Sequence, residues 1–80
     1  MARYFFHLRD GPDDLLDPDG IDLLAEAVPG TALLHARDCI AGDVKGGRLD
    51  LNYRINVHSE DGEIVHSLAF ADALEVVGSR

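Results

Sequence analysis

Apolar and polar residues alternate along Arg3-Tyr4-Phe5-Phe6-His7-Leu8-Arg9, with Tyr4, Phe6 and Leu8 on one side and Arg3, Phe5, His7 and Arg9 on the other. Successive side chains of a strand point to opposite faces, so the pattern predicts a strand whose Tyr4, Phe6 and Leu8 face the core. Asp10-Gly11-Pro12-Asp13-Asp14 reads as a turn, because these residues tolerate positive φ or fix it near about -65°. Leu15 and Leu16 predict a short return strand, stopped by Pro18 and turned again at Asp19-Gly20.

The period changes between Asp22 and Gly46. Asp22 is placed to cap a helix with Glu26 in its first turn, yet Pro29-Gly30 would damage the interior of a helix that began so early. Two solutions compete: a short turn over residues 23–28 followed by a helix with Pro29 near its first position, or one longer kinked helix. The break is favoured, with a regular helix from about Gly30 to Lys45. Ala32, Leu33, Ala36, Cys39, Ile40 and Val44 then form the buried stripe, and His35, Arg37, Asp38 and Asp43 lie toward solvent. Gly46-Gly47 ends it.

Arg54-Ile55-Asn56-Val57-His58 alternates again, and Asp61-Gly62 joins it to residues 64–70 as a hairpin. A two-residue turn pairs His58 with Val65 and Ile55 with Leu68, placing Ile55, Val57, Leu68 and Phe70 on one face. A three-residue bulged turn shifts every partner by one. The first register makes the richer core and is adopted. The tail from Ala71 to Val77 reads either as a turn into a last strand or as an extension. One right-handed crossover then yields an α+β fold, a two-layer ββαββ sandwich. Its four-stranded antiparallel sheet has the order 2-1-3-4, with one helix packed on one face and the other face open.

The segments Arg3 to Gly11, Asp17-Pro18-Asp19-Gly20-Ile21-Asp22-Leu23, Ala36-Arg37-Asp38, Gly47-Arg48-Leu49, Asp61-Gly62 and Phe70-Ala71-Asp72-Ala73-Leu74-Glu75-Val76 recur in this order in a small bacterial family of unknown function, which the chain resembles over nearly its whole length. Members open R-Y-[FY]-F-x-[LV]-x-D-G and usually carry an uninterrupted helix where this chain has Ala27-Val28-Pro29-Gly30-Thr31. The resemblance implies no activity and no site residues. A looser similarity of shape is to antitoxins of the HicB type, which also join a small antiparallel sheet to one helix.

Eighty residues make a single domain, 1–80, and a domain of this size buries only roughly 60% of the surface its unfolded chain exposes. The single Cys39 closes no internal disulfide. It is expected as a buried, reduced thiol. Self-association is the remaining remedy for a thin core, and a homodimer is expected. Seven basic residues stand against 15 acidic ones, a net charge of -8. That balance argues against a nucleic-acid surface or an anionic membrane surface. No apolar run approaches about 18 residues, and Arg3, His7 and Arg9 interrupt the N-terminal segment, so a cytoplasmic protein is expected.

Candidate chemistry is sparse. Asp17, Asp19, Gly20 and Glu26 fall at positions of a calcium-loop frame, but its first ligand position is Leu15. His7 and His58 fall together on the open face and make two ligands only. His35 and Cys39 stand one helical turn apart with no second pair. Ser59, Ser67 and Ser79 lack the base and pocket that a nucleophile needs. The expectation is therefore no enzyme, no cofactor and no metal. The surface singled out is the open sheet face, with Phe5, His7, Arg54, Asn56, His58, Val65 and Ala69 as contact residues. The expected role is a protein-interaction or regulatory module, the alternative an antitoxin-like partner of a basic protein.

Overall fold

A computed structural model describes residues 1–10 and 13–75 of the chain. Its elements are β1 (Ala2–Asp10), β2 (Asp13–Leu15), β3 (Ile21–Leu23), a 3-10 turn at Ala25–Ala27, α1 (Val28–Lys45), β4 (Arg54–His58), β5 (Ile64–Ala69) and a second 3-10 turn at Phe70–Asp72. The sheet is antiparallel in the order β2-β1-β4-β5, and α1 packs against β4 and β5. This is the expected α+β arrangement, with β4 and β5 as the third and fourth strands of the 2-1-3-4 order. The centre of the Asp10-Gly11-Pro12 turn and the extension at Val76-Val77 lie outside the described residues.

One strand goes beyond that expectation. Ile21–Leu23 pairs with the N-terminal half of β1, on the same edge that β2 pairs with at the other end. Asp22 therefore lies in a strand and does not cap the helix. It sits directly across from Arg3 and forms an ion pair with it at 3.0 Å. The return strand also ends at Leu15, and Leu16 lies beyond it. The helix starts as the break required: the 3-10 turn ends at Ala27 and Pro29 enters in the first turn of α1. Proline fits there because it lacks an N–H the helix would not use. At the other end the N–H groups of Gly46 and Gly47 close onto the carbonyls of Asp43 and Val44, and Gly47 takes φ +86°.

Tyr4, Phe6, Val28, Ala32, Ala36, Ile40, Ile55, Val57, Phe70 and Ala73 form the core, with Leu8, Leu33 and Leu68 packed around it. The alternation of β1 and β4 is thus realised as expected. Two positions of the helical stripe are not. Cys39 and Val44 are exposed: the buried line runs through Val28, Ala32, Ala36 and Ile40 at a spacing of four, which leaves Cys39 off it, and it ends one turn before Val44. That spacing turns the face toward His35, whose ring lies over Phe6 with centroids 5.0 Å apart. Partial burial, with Asp43 and Asp38 nearby, pushes the Cys39 thiol up, so it is a poor thiolate.

The hairpin combines both registers considered above. Ser59 N–H bonds to Glu63 O, so the loop is the three-residue Glu60-Asp61-Gly62 with Gly62 at φ +87°. His58 accordingly pairs with Ile64, not with Val65. A bulge then absorbs one residue, and the adopted register resumes at Val57 with His66 and Ile55 with Leu68. Burial of Ile55 and Val57 fixes the register beyond the bulge, while the turn chemistry fixes it before.

Candidate interaction surface

The face away from α1 carries Phe5, His7, Asn56, His58 and Ala69 half-buried, with Arg54 and Ser67 exposed. Pairing sets Phe5 beside His58, His7 beside Asn56 and Arg54 beside Ala69. Phe5 and His7 stack at 6.3 Å between centroids, and His7 meets His58 edge-on at 4.8 Å. A polar chain runs beside this aromatic row: Arg54 Nη1 donates to Ser67 Oγ at 3.3 Å, and Ser67 Oγ donates to Asn56 Oδ1 at 2.8 Å. Six of the seven contact residues read from sequence thus share one face. Val65 does not join them. The bulge takes it out of the alternation, and it borders a cleft of about 220 Å³ with Tyr4, Ala25, Val28, Pro29 and His66 on the helix side.

The two imidazoles hold opposite tautomers. Asp17 N–H donates to His7 Nδ1 at 3.0 Å, which leaves that nitrogen without a proton. His58 Nδ1 lies 3.2 Å from Gly62 O, a pure acceptor, so it carries the proton. His58 Nε2 is then an acceptor, buried and without a hydrogen-bond partner.

Asp17, unremarked as an interaction residue by sequence, organises this end of the face. Between β2 and β3 the edge of β1 has no strand beside it, and there Phe6 N–H donates to Asp17 Oδ2 at 3.3 Å. The other oxygen accepts from Asp19 N–H and Gly20 N–H at 3.2 and 3.1 Å. Burial pushes this carboxyl up, but the three backbone donors outweigh it and hold its pKa below the ordinary 3.8. The Asp17-Pro18-Asp19-Gly20 sequence is a turn signal, which is where a reader could have found it. Gly20, at φ +72°, lets the chain pass against Phe5: a Cβ there would stand 2.9 Å from the ring.

These groups can bind a mixed polar and aromatic surface. Among the described residues no three of His, Cys, Asp and Glu gather as a metal-holding group, and no helix is long and apolar enough to cross a membrane. No curated protein and no solved structure gives a significant match to the chain. A family model does match, over residues 3–71, and by that match the chain belongs to the family described as Domain of unknown function (DUF6894).

Proposed function

We propose that this chain is a cytoplasmic, non-enzymatic protein-interaction module that acts as a homo-oligomer and presents its uncovered sheet face to a partner protein. The observation that carries this reading is the one-sided cover of the sheet: α1 packs on one face, and Phe5, His7, Asn56 and His58 stay half-buried on the other. A surface that mixes aromatic area with hydrogen-bonding groups suits a wet protein contact. Affinity capture from the native cell, comparing the wild type with a Phe5→Ala/His58→Ala variant of unchanged circular dichroism, tests it. The expected result is a partner held by the wild type and lost by the variant. Identical capture by both would remove the face from the reading.

A second reading rests on the net charge of -8: an antitoxin-like partner that neutralises a basic protein. It predicts a neighbouring gene for a small basic protein, and a complex between the two that dissociates as salt is raised. A complex indifferent to salt would count against it.

A further inference from the structure

We propose that the open sheet face docks an acidic peptide segment of the partner protein, with a carboxylate on Arg54 and apolar side chains over the Phe5–His7 stack. This rests on the open-face reading above and names the chemistry of its partner. Arg3 and Arg9 on β1 and Arg54 on β4 come to the face because they alternate with the buried Tyr4, Phe6 and Ile55. Arg3 is held by Asp22, and Arg9 stands in register with Asp14 on β2. Arg54 is placed differently. Its neighbours in register are Arg9 and Ala69, and among the described residues its guanidinium has no carboxylate partner. Like charges directly opposite one another on a sheet are unfavourable, so the Arg9 and Arg54 pairing is a cost that an anion laid over it relieves.

The surroundings prepare Arg54 for that anion. Ser67 Oγ gives its own proton to Asn56 Oδ1 at 2.8 Å, so its lone pairs are turned to accept from Arg54 Nη1 at 3.3 Å. One end of the guanidinium is thereby fixed on the face, and Nε and Nη2 are left to take a carboxylate side-on. The Asn56 amide nitrogen, in the next row, is a donor for a peptide carbonyl. Beyond it lie Phe5 and His58, four residues along β4 from Arg54, a span of about 14 Å. An extended segment of about five residues covers both ends, with its acidic side chain at Arg54 and its apolar one on the aromatic row.

Charge selects a peptide over a nucleic acid. A nucleic-acid strand carries a charge at every nucleotide, and the net charge of -8 repels it along its length. The aromatic end of the face is bordered by Asp22 and Glu60, which bind the side chain and the backbone N–H of Arg3. A segment with one carboxylate keeps its charge at the end that answers it.

NMR titration of the isotope-labelled full chain tests this. The probe is a blocked peptide of about ten residues in which each glutamate stands four places from a leucine, with serine between. The controls are the same peptide with glutamine for glutamate, and an oligothymidine of the same length. The glutamate peptide is expected to shift the Arg54 Nε–H and Asn56 side-chain signals and to bind at least about tenfold more tightly than either control. Arg54→Gln is expected to remove that preference and Arg54→Lys to restore part of it, with far-UV circular dichroism unchanged. Arg48→Gln, at an exposed arginine in the loop between α1 and β4, is expected to leave it intact. Tighter binding of the oligothymidine, a preference that survives Arg54→Gln, or no shift on the face with any probe would overturn the acidic-peptide site. Affinity capture separates it from the reading beneath it: a partner lost with Phe5→Ala/His58→Ala but still held by Arg54→Glu would overturn the acidic site and leave the open face standing.

Discussion

Asp17 closes a gap that backbone pairing leaves open. β2 and β3 cover the two ends of one edge of β1, and the carboxylate of Asp17 takes the Phe6 N–H between them. Sequence shows its turn role, since an aspartate before Pro-Asp-Gly accepts from the residues just ahead of it. The reach back to Phe6 is not legible, because it depends on where β3 docks. Replacing Asp17 by Ala leaves the Phe6 N–H and the turn donors short of an acceptor, and is expected to cost about 1–2 kcal/mol in urea unfolding at neutral pH. The folded-state pKa of Asp17 lies below its ordinary value. Its contribution is therefore complete above 3.8 and disappears as pH falls below that through the lowered native value. The stability gap between wild type and Asp17→Ala should narrow on acidification. A gap of constant size down to acid unfolding would mean that the charge of Asp17 has no part in it.

The strands were the readable elements because their period of two survives in the fold. Tyr4 and Phe6 on β1, and Ile55 and Val57 on β4, are buried as the alternation requires. The helix was less readable in its facing. A stripe of small residues, Ala32 and Ala36, sets which side lies down and leaves Cys39 beside it, while burial ends at Ile40, one turn before Val44. β3 is illegible in sequence because three residues make too short a pattern, and Val65 leaves the open face because a bulge is invisible to strict alternation. Two turn glycines separate backbone demand from packing demand. Gly62 at φ +87° has open space where a side chain would go, so Gly62→Ala should cost about 1 kcal/mol for the left-handed backbone alone. A Cβ on Gly20 would also meet Arg3 Cγ at 2.8 Å and Tyr4 O at 3.0 Å. Gly20→Ala should therefore cost clearly more, about 2–3 kcal/mol, and disturb the Phe5 resonances in NMR spectra. Equal losses at the two sites would show that the Gly20 contact is soft.

The whole molecule is a thin sandwich, 45 × 27 × 18 Å along its principal axes, with large apolar side chains left on its outside. The open face and the acidic balance were legible in sequence; which flank of α1 faces β1 was not, because it depends on the side of the helix that lies down on the sheet. If the chain associates with its own copy, as proposed, the melting temperature must rise with protein concentration, since only the folded chain binds. Calorimetry over about a hundredfold range of concentration should show that rise. A melting point independent of concentration would count against the homo-oligomer reading.

The two rims of the sheet are unequal. One is a continuous six-residue strand, and the other is two three-residue strands with the Asp17 carboxylate between them on the edge of β1. The interrupted rim offers no long template on which another strand could add. The aspartate that completes the fold of a single chain thus also acts as a gatekeeper, blunting that rim against edge-to-edge aggregation.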